Sequence, residues 1–259
     1  MSLSEMLDAE NLWGYAKRLQ FVRNSIKESF PDQTSSEIRV LDVGCGNGSQ
    51  LALPLVQDGF QLTGIDPHEQ SIAKARRLVN NKPNARFIAG EIETLSNHEE
   101  FDVVILSEVL EHMEEPRKLL NASVGLMNPN GIMLVTVPNG YGEFELDWWL
   151  FRGLRLPQLL DILMSQRKES GGSTENLDSG HIQFFTRKKL QQLFDSCNLT
   201  LVTEASGSFL GGPFVAYSLA RSSRFLNWNA RVTERLPHSW ASSWYFLLRK
   251  NDNALTRSK

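Results

Sequence analysis

A carboxylate two residues before a glycine-rich turn is the first arrangement in the sequence that could do chemistry. Gly44, Gly46 and Gly48 alternate with other residues after a β-rich run, and Asp42 lies at the end of that run. Because glycine has no Cβ, such a turn can bend tightly and come close to a bound ligand. The carboxylate of Asp42 disfavours a phosphate there and favours an ammonium or sulfonium group. The turn therefore predicts a binding site for a ligand that carries positive charge.

Two more carboxylates follow the next two predicted strands. Asp66 ends the second strand, twenty residues after Gly46, and Glu91 follows the third. A carboxylate at the position of Asp66 can accept both hydroxyl groups of a ribose. Asp66 could instead cap the helix that begins near His68, and Glu91 could simply be solvated. Three carboxylates after three successive strands favour the ligand-binding interpretation.

The glycine turn resembles the D-x-G-x-G-x-G motif of class I S-adenosylmethionine-dependent methyltransferases in the segment Asp42-Val43-Gly44-Cys45-Gly46-Asn47-Gly48. The resemblance covers residues 36–138. More loosely it covers 181–206, because Gly180–Thr186 is similar to the H-x-x-F-[FY]-[ST] segment of small-molecule members. It implies that S-adenosylmethionine is the cofactor, that Glu91 accepts the exocyclic amine of adenine and that an apolar neighbour covers the ring. The cofactor-binding residues that it implies are Arg18, Asp42, Gly44, Cys45, Gly46, Asp66, Pro67, Glu91, Ile92, Leu106 and Ser107.

Arg18 is the member of this set that precedes the glycine turn in the sequence. It resembles an N-terminal arginine that pairs with the methionine carboxylate of the cofactor in some relatives. The alternative is a surface arginine on an amphipathic helix.

Acidic residues and a histidine follow the fourth predicted strand. Glu108, Glu111 and His112 are spaced at i, i+3 and i+4, and would share one face if the segment were helical. They resemble the E-x-x-E-H signature of ubiquinone-pathway O-methyltransferases, which implies a possible Mg²⁺ site, although the preference of Mg²⁺ for oxygen makes a histidine ligand unusual. His112 could instead act alone as a general base, or Glu111 and His112 could form structural hydrogen bonds. The candidate catalytic residues are His112, Glu111 and His181.

A nicotinamide-dependent oxidoreductase is the main rival interpretation. Its turn needs G-x-G-x-x-G, but Ser49 occupies the position of the third glycine, and Asp42 would lie near the pyrophosphate. A cofactor-binding module without catalysis is a further alternative. The sequence lacks the [ND]-P-P-[YFW] motif of nucleobase and glutamine-amide N-methyltransferases, and neither Cys45 nor Cys197 has the setting of a cytosine methyltransferase nucleophile. We therefore expect methyl transfer to a small molecule, and to oxygen rather than nitrogen.

Alternating strands and helices must place these residues. Between Ile38 and Val137, apolar β-rich runs alternate with helical stretches, which predicts a doubly wound parallel α/β sheet. Strands are predicted over Ile38–Leu41, Gln61–Ile65, Ala85–Ile88, Phe101–Leu106, Ile132–Val137, Leu199–Glu204 and Ser243–Arg249. Helices are predicted over Glu10–Phe30, Ser49–Gly59, His68–Asn80, Pro116–Met127 and Thr186–Cys197. The resemblance implies a Rossmann-like, seven-stranded sheet whose last strand is antiparallel.

The 259 residues are interpreted as a single domain with two insertions. Residues 1–35 form an N-terminal helical cap, 36–138 the cofactor-binding core, 139–180 a helical insertion over the active site, and 181–259 the rest of the sheet with a second insertion at 207–242. Eight aromatic side chains could build a lid or fill a core: Tyr141, Phe144, Trp148, Trp149, Phe151, His181, Phe184 and Phe185. Charged residues and Pro157 interrupt the apolar stretch Trp148–Met164, so any membrane contact is expected to be interfacial.

Charge and cysteine content bound the partners and the compartment. The formal charge of -3 argues against nucleic acid as a partner. Residues 221–259 hold eight basic and two acidic residues, a local net of +6, which leaves -9 for the first 220 residues. This basic end could meet an anionic surface or be a solvated helix face. Two cysteines, no signal-peptide pattern and no run of 18 apolar residues predict a cytoplasmic protein without a spanning helix.

Overall fold

A mostly parallel β-sheet forms the centre of the molecule. The computed structural model describes residues 10–11, 14–80, 82–96, 99–140, 182–210 and 222–251. Its strands are β1 (Arg39–Val43), β2 (Gln61–Asp66), β3 (Ala85–Ala89), β4 (Phe101–Ser107), β5 (Met127–Pro138), β6 (Leu199–Ser206) and β7 (Ser243–Lys250). Over the described residues they form one seven-stranded sheet in the order β3-β2-β1-β4-β5-β7-β6. β1 to β5 run parallel, and β7 lies antiparallel between β5 and β6.

Helices cover both faces of this sheet. They are α1 (Tyr15–Ser29), α2 (Ala52–Gln57), α3 (Glu69–Leu78), α4 (Pro116–Gly125), α5 (Arg187–Ser196) and α6 (Ser223–Val232). One apolar cluster joins α1, α2 and α3 to the sheet through residues such as Leu19, Leu55 and Ile72. A second joins α4 and α5 to the sheet through Leu120 and Phe194. The central strands are therefore buried on both faces, which explains why they are continuous apolar runs.

The predicted doubly wound sheet with an antiparallel last strand is confirmed. The main differences lie at the ends of elements. α2 is shorter than the predicted helix Ser49–Gly59, because the chain is still turning until Leu51 and because Gly59 has a left-handed φ of +96°. α1 begins at Tyr15, after Gly14 with a left-handed φ of +69°.

The strand order places a crevice beside the predicted site. β1 lies between β2 and β4, so the chain leaves β1 toward one side of the sheet and reaches β4 on the other. In open α/β sheets ligands bind at such a switch point, outside the carboxyl ends of the strands. The ends of β1, β2, β3 and β4 carry most of the residues that the sequence singles out.

The two predicted insertions are described to different extents. Of the first, only residues 139 and 140 are described, so Tyr141, Phe144, Trp148, Trp149 and Phe151 lie outside the described residues, as does Trp148–Met164. Of the second, the structure describes all but residues 211–221, and it contains α6. No helix in the described part of the chain is long and apolar enough to cross a membrane.

Candidate functional site

The glycine turn after β1 packs against a protein side chain at Gly44 and has open space at Gly46. Gly44, Gly46 and Gly48 all have left-handed φ angles, of +70°, +54° and +73°. The amides of Gly44 and Cys45 donate to the carbonyl of Ile65, which ties the turn to β2. A Cβ on Gly44 would lie 2.6 Å from Val109, whereas a Cβ on Gly46 would meet nothing within 4 Å. The open side at Gly46 is therefore where a ligand can approach the backbone.

Asp66 fixes both this turn and the start of α3. Its Oδ2 accepts the Gly46 amide at 2.9 Å, and its Oδ1 accepts the His68 amide at 2.8 Å. The helix-start role that the sequence allowed is thus present, and a turn-supporting role accompanies it. The side chain is buried, but each carboxylate oxygen has further acceptor capacity for a ligand hydroxyl.

Asp42 is a buried carboxyl group whose negative charge Arg18 offsets only in part. It lies in β1 with 3% exposure. Burial, and then the negative charge of Asp66, raise the pKa of Asp42 to about 7, against a smaller opposing effect of Arg18. Burial also raises the pKa of the Cys45 thiol, so this cysteine is held as a neutral group. A positively charged ligand would supply an opposite charge that favours the ionised form of Asp42.

Further candidate residues lie around the ends of β2, β3 and β4. The Gly90 amide donates to the Asp66 carbonyl at 3.0 Å and so joins these two strand ends. Glu91 follows with an exposed side chain, while Ile92 and Leu106 belong to the apolar core. Pro67 is exposed beside Asp66.

Arg18 is buried under the carboxyl ends of the strands, so a surface role does not describe it. Of the described residues it is the one buried basic side chain, with 4% exposure. Its Nη1 lies 3.4 Å from Glu108 Oε1, and its Nη2 donates to Gln50. Its Nε has no partner among the described residues.

The segment after β4 is not an α-helix, so the shared face that a helix would give Glu108, Glu111 and His112 does not form. Glu108 has a left-handed φ of +56°, and only Leu110–His112 follows as a single 3-10 turn. A left-handed residue reverses the path of the chain and breaks the i, i+3, i+4 periodicity. Across the described parts of the chain, no group of three or more His, Cys, Asp or Glu side chains is arranged to hold a metal ion.

Glu111 and His112 lie side by side in that turn. Glu111 is 1% exposed, and its Oε2 has no partner in the part of the chain that the structure describes. Burial, and then the negative charge of Glu108, raise the pKa of Glu111 well above its ordinary value. His112 is partly exposed, and its Nε2 lies 3.8 Å from Glu111 Oε1. A buried carboxyl group with a raised pKa therefore lies beside an accessible imidazole.

The chain that follows the first insertion returns to this turn. The amides of Ile182 and Gln183 donate to the Glu111 carbonyl at 2.9 and 3.0 Å. His181 lies outside the described residues. Of the two aromatic residues described from the predicted lid, Phe184 is exposed, whereas Phe185 packs into the core. Phe185 thus has the core-filling role that the sequence left open.

Sequence reasoning missed three residues that support the site. Thr136 of β5 donates to Glu108, and Gln50 accepts from Arg18. The buried hydroxyl of Tyr245 in β7 donates to the carbonyl of Gly14, directly before α1. A single threonine inside the apolar run of β5 was a usable signal, because a buried hydroxyl needs a partner. Gln50 and Tyr245 carried no such signal.

Comparisons with known proteins identify a family and individual relatives. A family described as a methyltransferase domain matches residues 15–204. The ubiquinone biosynthesis O-methyltransferase of Rickettsia felis is 33% identical over 123 residues, which are 47% of this chain and 49% of that protein. The protein of the same name from Rhodopseudomonas palustris is 34% identical over 128 residues, 47% of this chain and 50% of that protein. The chain thus spans about half the length of the curated relatives that it matches.

Solved structures share the fold at low sequence identity. Magnesium protoporphyrin IX methyltransferase from Synechocystis PCC 6803, crystallised with S-adenosylhomocysteine, matches with a TM-score of 0.54 and 15% identity over 90% of this chain and 83% of that one. An S-adenosylmethionine-dependent methyltransferase from Clostridium acetobutylicum matches with a TM-score of 0.56 and 13% identity over 92% of each chain. A [4+2]-cyclase matches with a TM-score of 0.54 and 17% identity over 89% of this chain and 81% of that one. Since a cyclase shares the fold, the reaction has to be argued from the site.

Proposed function

Because this chain belongs to the class I S-adenosylmethionine-dependent methyltransferase family, we propose that it transfers a methyl group from S-adenosylmethionine to an oxygen atom of a small molecule. The observation that carries the proposal is the buried pair Asp42 and Asp66 around the open backbone at Gly46. This arrangement suits a ligand that combines a ribose with a cationic amino-acid end. When bound, S-adenosylmethionine supplies a methyl group on a positively charged sulfur.

Each part of the site has a role in holding that ligand. Asp66 accepts the ribose hydroxyls, with Pro67 beside it, and Glu91 and Ile92 take the adenine. The backbone at Gly44, Cys45 and Gly46 lies along the ligand, and Asp42 faces its ammonium group.

Arg18 meets the carboxylate of the ligand near the ends of β1 and β4, where Leu106 and Ser107 line the methionine side. Two observations support these assignments: Arg18 Nε has no hydrogen-bond partner within the described part of the chain, and there is space at Gly46.

The methyl acceptor is assigned only to a chemical class, a small molecule with an acceptor oxygen. An oxygen acceptor is supported by the curated relatives, which are O-methyltransferases. Methyl transfer needs alignment of the acceptor with the methyl group and exclusion of water more than covalent help from the protein. Cytoplasmic location stays a prediction, which the free thiols Cys45 and Cys197 support. Peripheral membrane contact also stays a prediction, because it concerns residues outside the described part of the chain.

The first experiment tests cofactor binding. Calorimetry with S-adenosylhomocysteine should show binding to the wild type and binding about 10- to 100-fold weaker to Asp66→Asn, because that change removes a buried charged acceptor. Asp58→Asn is the matched control, since Asp58 pairs with Arg23 on the outside of α1. Binding of NAD without binding of S-adenosylhomocysteine would contradict the proposal and favour an oxidoreductase.

Proton removal from the acceptor is assigned to His112, with Glu111 and His181 as supporting candidates. His112 is accessible, and the raised pKa of the Glu111 carboxyl group beside it weakens the negative charge that would otherwise favour a protonated imidazole over the neutral form that a general base needs. Mg²⁺ is not required in this proposal, because Glu108, the first residue of the resembling signature, already contacts Arg18 and Thr136.

The second experiment therefore uses turnover with an accepted phenol, because its hydroxyl proton has to be removed during methyl transfer. His112→Ala should lower kcat by about 10²- to 10⁴-fold and leave S-adenosylhomocysteine binding unchanged. His238→Ala is the control, since His238 contacts Ser206 in β6. Full turnover in His112→Ala would remove it as the base, and loss of wild-type turnover on chelation would restore the metal alternative. Cofactor binding with no turnover on any acceptor would favour a non-catalytic module.

A further inference from the structure

Glu108 adopts a backbone conformation that its residue type disfavours. Its φ of +56° lies in the left-handed region, where glycine is the usual residue. The conformation is held by a hydrogen bond from the Glu108 amide to the Thr136 carbonyl at 2.9 Å. A non-glycine residue held in this way points to a role for its side chain.

The carboxylate of Glu108 is fixed by hydroxyl groups from two strands. Thr136 Oγ1 donates to Glu108 Oε1 at 2.7 Å, and Ser107 Oγ lies 3.0 Å from the same Thr136 oxygen. Since a hydroxyl has one proton and that of Thr136 goes to Glu108, Ser107 donates to Thr136. A chain of hydrogen bonds from β4 and β5 therefore orients the carboxylate.

This oriented carboxylate and the glycine turn hold Arg18 from opposite sides. Glu108 Oε1 lies 3.4 Å from Arg18 Nη1, and Gln50, two residues after Gly48, accepts from Nη2. Arg18 nevertheless keeps its Nε free of any partner among the described residues, although the residue is only 4% exposed. A buried guanidinium with an unused donor is prepared to bind another acceptor.

We propose that Glu108 is a positioning residue, which holds the guanidinium of Arg18 across the crevice between β1 and β4 so that Arg18 meets the carboxylate of the bound cofactor. The inference rests on the proposed function. It also gives Glu108 a different role from the one that the resemblance to the E-x-x-E-H signature implies, which is that of a Mg²⁺ ligand. A cation bound at Glu108 would lie beside the Arg18 guanidinium, and like charges at that distance repel.

The test separates the side chain of Glu108 from its backbone. Glu108→Gln keeps the shape and an acceptor for Thr136 but removes the charge, whereas Glu108→Gly suits the left-handed φ and removes the side chain. Both variants should bind S-adenosylhomocysteine about three- to tenfold more weakly, because a partly exposed ion pair is screened by solvent. The KM for S-adenosylmethionine should rise in the same proportion while kcat stays within about twofold.

Asp58→Asn is again the matched control, because the pair of Arg23 with Asp58 anchors the same helix α1 away from the site. A double-mutant cycle with Arg18→Ala decides whether Glu108 acts through Arg18. In that background Glu108→Gln should have no further effect on S-adenosylhomocysteine affinity, since coupled residues are not additive.

Several results would overturn the inference. They are wild-type affinity in Glu108→Gly, additive losses in the cycle, an equal loss in Asp58→Asn, and an Mg²⁺-dependent gain in affinity that only the wild type shows. If the wild type itself fails to bind S-adenosylhomocysteine, the proposed function fails and the inference fails with it. If the wild type binds and Glu108→Gln binds equally well, the inference alone fails.

Discussion

Burial of Asp42 and its proposed contact with a cationic ligand place opposite demands on the charge of this carboxyl group. Burial raises its pKa from 3.8 to about 7, so the folded protein holds a proton here that the unfolded chain releases across that interval. More protons are bound in the folded state, so the contribution of Asp42 to the free energy of unfolding falls as pH rises from 3.8 to about 7. An ammonium group at the same place would favour the ionised form. Asp42 therefore lowers stability at neutral pH in exchange for a charged site.

Asp42→Asn should make these two effects visible. We expect S-adenosylhomocysteine affinity of the wild type to rise between about pH 6 and pH 8, and that of Asp42→Asn to be weaker and nearly independent of pH. The variant should be at least as resistant to denaturant as the wild type at about pH 8, because no buried charge remains. Calorimetry and denaturant unfolding at both pH values provide the measurements. An unchanged pH profile in Asp42→Asn would assign the titration to another group.

At the scale of elements, the sequence alone predicts the strands wherever burial determines the pattern of apolar residues. β4 is a continuous apolar run because residues 103–106 have no exposed surface, and such runs predict buried parallel strands directly. The glycine turn was also predictable, because the left-handed φ angles of Gly44, Gly46 and Gly48 need glycine. These elements are determined by neighbours in sequence or by a general demand for burial.

The segment after β4 was not predictable in the same way. Its helical spacing is present in the sequence, but the left-handed φ of Glu108 depends on a hydrogen bond to Thr136, 28 residues later, and its charge is met by Arg18. The start of α1 likewise depends on the bond from Tyr245 to Gly14, which are 231 residues apart. A threonine inside an apolar run indicates a buried hydroxyl group but does not identify its partner, so the carboxylates of the site could be predicted and the contacts that orient them could not.

At the scale of the whole molecule, α1 contacts both the segment after α2 and the segment around the end of α6. Arg23 near its middle pairs with Asp58 after α2, away from the site. Lys17 near its start donates to the Ala230 carbonyl in α6 at 2.7 Å, and to Thr233 Oγ1, directly after α6, at 2.8 Å. Since Arg18 follows Lys17, the same helix that joins these parts also carries a residue of the site. The C-terminal segment is thereby coupled to the cofactor-binding core.

Lys17→Met tests this coupling, because methionine keeps the apolar stem and removes the ammonium donors. We expect a loss of about 1–3 kcal/mol in the free energy of unfolding, since charged hydrogen bonds to partly buried acceptors are removed. Amides of α6 should exchange faster with solvent, and S-adenosylhomocysteine should bind more weakly because Arg18 loses its neighbouring anchor. Lys27→Met is the control, since Lys27 is exposed on the last turn of the same helix. If the two variants behave alike in denaturant unfolding and hydrogen exchange, α1 does not couple the C-terminal segment to the site.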